Sequence, residues 1–310
     1  MSQPVIRPAT AEDLPRLVAA ADRVFRQPLR PGVGSMGHDY PLLFDPANAG
    51  NLWLAQDAAG EVIAHAGFTL SGASAAGVRT KVACFGAVFT VTEHQGKGLA
   101  SQVFAAAAAH ARASGADLAL VSGERGLYER AGFFTYPPCR RYRVASDQQA
   151  PSGATARPVP FQPGALADVM SLQAAEPVRF ERSEADWVRL LGTGVLFFYP
   201  ARLFLIERAG RPVAYAGVAL LESAESPGPI ARVLEMAGDR QAIAEAAPAL
   251  RRALHAAALE LVAPPHDDGL EPSARTLGFR REEIRFPFAA ACWNPACAQL
   301  PLLFYGFNYV

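Results

Sequence analysis

The residues whose types and spacing best suggest chemistry lie in TVTEHQGKGLAS, residues 90–101. An apolar, strand-like run ends there in a turn carrying Gly96 and Gly98, and the turn opens directly into a helical pattern. Small residues let backbone N–H groups converge, and the first turn of a helix adds about half a positive charge aimed at the same point. That combination suits an anion, above all a phosphate. Two familiar phosphate motifs do not fit. A P-loop needs a glycine five residues before Gly96, where Val91 stands, and Ser or Thr after Lys97, where Gly98 stands. A dinucleotide fingerprint needs a third glycine at Ser101 and an acid closing the next strand, whereas Asp117 precedes that strand.

The elements that must position this turn can be read on either side of it. Residues 52–56 and 62–70 flank the turn at residues 57–60 and predict a hairpin; residues 81–91 predict a longer strand. Leu99, Val103, Phe104, Ala107, Ala108 and Ala111 share one face of a helix over residues 99–114, closed by Gly115. A buried strand follows at 118–122, a short helix at 126–131 ended by Gly132, and extended chain over 133–144. Upstream, residues 5–7 and a helix from Leu14 to Phe25 precede a Gly/Pro-rich segment at 28–51. Its His38, Asp39 and Tyr40 are read as surface residues or substrate contacts.

Gln95, Gly98 and Ala100 meet the pattern Gln/Arg-x-x-Gly-x-Gly/Ala, and Tyr128, Glu129, Gly132 and Phe133 meet Tyr-Glu-x-x-Gly-Phe at the distance expected of a second motif. On these two motifs the N-terminal half resembles the GNAT acetyltransferase superfamily. The resemblance implies an α/β (α+β) fold in which strands 81–91 and 118–122 splay and admit the pantetheine arm of acetyl-CoA. Backbone groups of Val88, Phe89 and Thr90 would pair with that arm. The turn formed by Gln95, Gly96, Lys97, Gly98, Leu99, Ala100 and Ser101 would hold the pyrophosphate through its amides, with Lys97 either adding a charge or simply exposed. Glu124 is placed beside the cofactor. Gln95 stands where arginine is commoner and Thr92 where many relatives have proline; main-chain contacts tolerate both. Acyl transfer to an amine needs a proton for the departing thiolate, and the family assigns this to the tyrosine matching Tyr128. Glu93, His94 and Glu124 flank the site as candidate bases, with solvated turn residues as the alternative for the first two.

Composition bounds the rest. The chain has 310 residues, 29 Lys+Arg against 29 Asp+Glu, and 51% hydrophobic residues. That length suggests two domains with their own cores, and the neutral balance gives no support to a nucleic-acid partner. Four scattered cysteines and six histidines without ligand spacing give no metal site. The N-terminus lacks a signal-peptide pattern, and the most apolar stretch, residues 195–206, is cut by Pro200 and far short of the roughly 20 residues that span a membrane. A cytoplasmic protein without membrane contact is expected; oligomeric state leaves no mark on the sequence.

Residues 146–155 have a linker's composition, which divides the chain into a catalytic, acetyl-CoA-binding domain at 1–145 and a second domain at 156–310. The order of elements begins again: strand 157–161, helix 165–175, hairpin near 207–211, strand 231–236, helix 241–258, strand 259–263 and a final strand after Leu277, Gly278 and Phe279. The glycine motif does not recur; Asp239 stands where a pyrophosphate would approach. The second half is therefore expected to be a degenerate GNAT-like domain. Two tandem GNAT-like domains, each a mixed, mostly antiparallel sheet flanked by helices, resemble the enhanced intracellular survival acetyltransferases, without room for their sterol-carrier-like third domain. The aromatic tail, residues 301–310, should be docked. In that family the terminal carboxylate reaches the active site as a base, a part Val310 would take here unless the tail is a core plug. The expected function is direct acetyl transfer from acetyl-CoA to the amine of a small molecule or peptide. A non-catalytic acyl-CoA-binding regulator and a mycothiol-synthase-like tandem protein are the alternatives.

Overall fold

A computed structural model describes residues 3–26, 34–123, 126–145, 155–222 and 228–308. In the first part of the chain, β1 (Val5–Pro8), α1 (Leu14–Phe25) and the short α2 (Met36–Asp39) precede a meander of β2 (Leu52–Gln56), β3 (Val62–Ala75) and β4 (Val78–Thr90). Then come α3 (Leu99–Ala113), β5 (Leu118–Ser122), α4 (Gly126–Arg130), β6 (Phe134–Thr135) and β7 (Cys139–Val144). The second part begins with β8 (Ala156–Pro160), α5 (Leu166–Ala174), β9 (Val178–Phe180), α6 (Glu184–Gly192) and β10 (Val195–Leu196). Its own meander is β11 (Tyr199–Arg208), β12 (Arg211–Leu221) and β13 (Ile230–Gly238). After it come α7 (Arg240–Ala253), β14 (Ala258–Ala263), α8 (Glu271–Thr276), β15 (Arg280–Ile284) and β16 (Phe288–Cys292).

These strands form two mixed sheets. The first runs β1-β2-β3-β4-β5-β16-β6, with β9 against the far end of β3; the second runs β10-β11-β12-β13-β14-β7-β15, with β8 against β11. Neighbours are antiparallel except β4 with β5 and β13 with β14, so each sheet is mixed and mostly antiparallel, as the family resemblance implies. Each sheet borrows its next-to-last strand from the other part of the chain. β16 lies between β5 and β6, and β7 lies between β14 and β15. The extended stretch at 133–144 is thus two strands in different sheets, separated by Pro137 and Pro138, which lack the N–H a continuous ladder would need. A cut at residue 145 leaves β7 on the opposite side from its sheet.

Local signals explain most element ends. Gly115, at φ +83°, follows α3, and Ala116 N–H closes back on the Ala111 carbonyl. β3 runs to Ala75 and turns through Ala76 and Gly77, both at positive φ, which suits a two-residue hairpin. α7 stops at Ala253, five residues short of its expected end, because His255 takes a left-handed conformation at φ +50°.

Three apolar layers result. The alanine-rich face of α3 lets the helix approach the first sheet closely, over Ala64, Ala66, Phe68 and Phe85. α7 covers the second sheet in the same way. The largest layer is shared by both parts: Leu17, Phe44, Leu54 and Tyr136 meet Trp187, Leu203, Tyr215 and the tail residues Leu303, Tyr305 and Phe307. The two parts therefore share a core, and the described part of the tail is buried within it. No described helix is long and apolar enough to cross a membrane.

Candidate active site

β4 and β5 pair from Val82 with Leu118 to Phe85 with Val121, and the parallel ladder ends there. Residues 86–90 of β4 continue without that partner. Opposite them, the β3–β4 register slips between His65 and Gly67, so that Ala87 and Val88 together face Ala66. This is a β-bulge, which bends the strand and re-aims its peptide groups. Ala87 carries the signature of strain there, at φ +51°.

β4 leads through a tight turn at residues 92–94 into Gly96 and Gly98, both at positive φ (77° and 71°). L-residues with side chains adopt that conformation at a cost of about 1–2 kcal/mol, which explains two glycines so close together. A Cβ on Gly96 would meet nothing within 4 Å, so the space over the turn is open. Gly98 is the N-cap of α3 and offers no side chain to the first amides of the helix. Leu99, Ala100 and Ser101 form that first turn. Gln95 donates to the Thr90 carbonyl at 3.3 Å and braces the turn; Lys97 reaches back to the Glu93 carbonyl at 3.4 Å. Glu93 is exposed and His94 half-buried. An uncapped 15-residue helix, an open glycine turn and a parted pair of strands together can hold an elongated anionic ligand with amides along its length.

Tyr128, on α4, is 2% exposed and packs edge-on against Phe104 of α3 at 5.1 Å. A Cβ on Gly123, the residue after β5, would come within 3.5 Å of its hydroxyl. The phenol thus sits at the end of β5 where the parted strands open. Phe133 N–H closes on the Tyr128 carbonyl at 3.0 Å, which fixes the short helix. Val88, Phe89, Thr90, the turn and Tyr128 are therefore gathered at one opening. Glu124, Tyr309 and Val310 lie outside the described residues. The last described residue, Asn308, accepts from Arg182 Nε at 2.6 Å and lies 3.4 Å from Ser71, which pairs with Val82 below the point of parting.

Asp39 and Tyr40 are buried, not on the surface. Asp39 binds Arg26 at 2.9 Å, and the Tyr40 hydroxyl donates to the Phe197 carbonyl of the second part at 3.1 Å. Sequence reasoning passed over His65, fully buried at the bulge; no spacing marked it. Among the described residues no group of three or more His, Cys, Asp or Glu side chains could hold a metal.

Residues 5–136 match the family described as acetyltransferase (GNAT) domain. This stretch is a GNAT acetyltransferase domain. No curated protein matches the chain. Among solved structures, a GCN5-related N-acetyltransferase from Anabaena variabilis aligns over 93% of this chain and 72% of its own, at 14% identity and TM-score 0.66. A conserved Enterococcus faecalis protein, described as a probable N-acyltransferase, aligns over 94% and 73%, at 11% identity and TM-score 0.70. Eis1 from Mycobacterium abscessus aligns over 93% and 73%, at 18% identity and TM-score 0.62. At these identities the likeness is one of fold, and it extends across both sheets.

The second sheet repeats the plan with different filling. β13 and β14 pair only from Ile230 to Val233, and β13 has a register slip of the same kind. The wedge beyond is a cavity of about 410 Å³ lined by Leu234, Glu235, Val262 and His266. At its helix end the chain supplies its own anion. Glu176 accepts the Gly238 N–H at 2.7 Å and binds Arg240 through both oxygens, at 3.0 and 2.6 Å. Arg240 also donates to Asp267 at 2.8 Å, and Asp239 caps α7 through the Ala242 N–H. Deeper in, Glu235 pairs with Arg182 and accepts from Tyr215 and the Phe307 N–H.

Proposed function

We propose that the protein is an acetyl-CoA-dependent N-acetyltransferase that transfers the acetyl group directly to an amine, with the GNAT domain as its catalytic part. The observation that carries this reading is the parting of β4 and β5 beyond Phe85 and Val121, opposite a bulge and above an uncapped glycine turn. On this reading Val88, Phe89 and Thr90 offer main-chain groups to the pantetheine amides. The turn amides from Gly96 to Ser101, with Gln95 and Lys97 shaping its rim, hold the pyrophosphate. The amine nitrogen attacks the thioester carbonyl carbon, the carbon–sulfur bond breaks, and the Tyr128 hydroxyl gives its proton to the departing thiolate. The proton lost by the amine nitrogen passes through solvent and restores the Tyr128 hydroxyl, so the net products are the amide and CoA thiol. The Val88 N–H serves the carbonyl oxygen as negative charge gathers on it.

The second part of the chain is proposed as a degenerate copy that shapes the acceptor side without binding acetyl-CoA, since Glu176 already takes the Gly238 N–H and the Arg240 guanidinium just before α7, and Asp239 takes the Ala242 N–H of its first turn. The acceptor is proposed to be a small-molecule or peptide amine.

Incubation with acetyl-CoA and a panel of primary amines should release CoA thiol. Replacing Tyr128 with Phe should lower turnover by about 10²-fold, the usual worth of a positioned general acid, with the affinity for acetyl-CoA nearly unchanged. Acetyl-CoA binding without thiol release for any amine would favour a regulatory acyl-CoA-binding protein. Full activity of Tyr128→Phe would remove the assigned acid.

A further inference from the structure

His65 is buried completely in the middle of β3, with its ring between Phe44 (6.3 Å, stacked) and Phe89 (5.6 Å). Its Nδ1 lies 2.7 Å from the Ala87 carbonyl oxygen. A carbonyl only accepts, so Nδ1 carries the hydrogen and the neutral ring leaves Nε2 as a bare lone pair. That Nε2 has no partner among the described residues. A buried polar atom left unpaired is costly, so the Nδ1 contact must return something. Room for the ring is built in: a Cβ on Gly67, next but one along the strand, would lie 3.0 Å from both Cε1 and Nε2 of His65. The one carbonyl the ring holds belongs to the left-handed, strained residue of the bulge.

We propose that His65 is a positioning residue that locks the β4 bulge and thereby aims the Val88 N–H for acetyl transfer. In a trans peptide the C=O of one residue and the N–H of the next point in opposite directions. Fastening the Ala87 carbonyl to the imidazole therefore turns the Val88 N–H away from His65 and keeps it there. Without that hydrogen bond Ala87 can relax from φ +51° toward an ordinary strand conformation, and the N–H rotates with it. The catalytic part of this inference rests on the acetyltransferase reading; the lock itself does not.

The test compares His65→Leu, which fills the site without donating, with His65→Asn, whose side-chain amide can donate from nearly the place of Nδ1. Hydrogen exchange in the protein without ligand reads the lock. His65→Leu should exchange at residues 86–89 at least about tenfold faster than the wild type while residues 78–83 stay protected, and His65→Asn should restore most of the protection. Acetyl transfer should follow the same order. kcat should fall about tenfold or more in His65→Leu and recover in His65→Asn, with KM for acetyl-CoA changing much less. Unchanged exchange at 86–89 in a folded His65→Leu protein, or equal impairment of the two variants, overturns the lock. Faster exchange with wild-type kcat overturns its role in catalysis. A wild type that turns over no amine would overturn the acetyltransferase reading, while the exchange result would still decide the lock.

Discussion

Acid should destabilise this protein through His65 well before its carboxylates are protonated. Burial pushes the His65 pKa down to about 4, from an ordinary value near 6.5. The unfolded chain therefore takes up a proton on this residue as the pH falls through 6.5, and the folded chain does not until about 4. Stability from a neutral buried histidine is complete above 6.5 and is lost as the pH falls toward 4. At 1.36 kcal/mol per pH unit the loss is about 2 kcal/mol at pH 5 and about 3 kcal/mol at pH 4. Asp13, held well below the usual carboxylate range by its hydrogen bonds to Arg7, acts with the same sign but only below about pH 4. His266, lowered chiefly by burial, also has the same sign and is present in every variant of His65. The comparison is therefore wild type against His65→Asn in urea unfolding at pH 7, 6 and 5. The wild type should lose about 2 kcal/mol more than the variant over that range. Parallel losses in the two proteins would show that His65 protonates in the folded state as readily as in the unfolded one, and would refute the argument.

Gly98→Ala should cost about 1–2 kcal/mol of stability, since the added methyl meets only the end of the Gln102 side chain, at 3.9 Å, but must sit at φ +71°. If the turn holds the pyrophosphate, affinity for acetyl-CoA should fall more than about tenfold, measured by calorimetry; unchanged affinity would move the anion site elsewhere. The same calorimetry should give one acetyl-CoA per chain, and two would contradict a filled second site. Glu176→Ala should lower stability by about 3 kcal/mol, because Arg240 loses a two-point partner in a partly buried place, and an unchanged melting curve would refute that. Residues 1–145 expressed alone should be insoluble, since β5 and β6 lose β16 from between them, and co-expression with residues 146–310 should rescue them.

The sequence carried the parts of this site that depend on local chain chemistry. The face of α3, the glycines at left-handed positions and the spacing to Tyr128 are all set within about 40 residues, where periodicity and turn chemistry speak directly. The strand exchange was illegible for the opposite reason. Residues 139–144, with three arginines, and residues 288–292, wholly apolar, each read as a short strand, and nothing local says which sheet each one joins. His65 was hidden likewise: an isolated histidine in an apolar run reads as core, and only the register slip one strand away gives its ring a carbonyl to hold. The helix at 184–192 was also missed, although Ser183 and Asp186 form a capping box at its start.

The second sheet clarifies what the first one requires. Both contain a parallel pair that parts after four residue pairs, a slipped register on the strand that continues, and a helix starting at the opening. Backbone architecture alone therefore does not determine a cofactor site. The difference lies in what satisfies the donors at the helix end. In the first half the N-cap is a glycine without a side chain to offer, and on the proposed reading an outside anion takes the amides of the turn. In the second, the carboxylate of Glu176 takes the Gly238 N–H and is gripped by Arg240, which Asp267 holds in turn. An incoming pyrophosphate would have to displace a charge-assisted, two-point pair that is only about one-sixth exposed on either side. It would also leave Glu176 without its cation, a loss of several kcal/mol that its new contacts must first exceed. On the proposed reading, one carboxylate on a neighbouring helix end is enough to turn a cofactor cleft into structural support. On that reading a chain of zero net charge binds a single anionic cosubstrate through the local turn of amides.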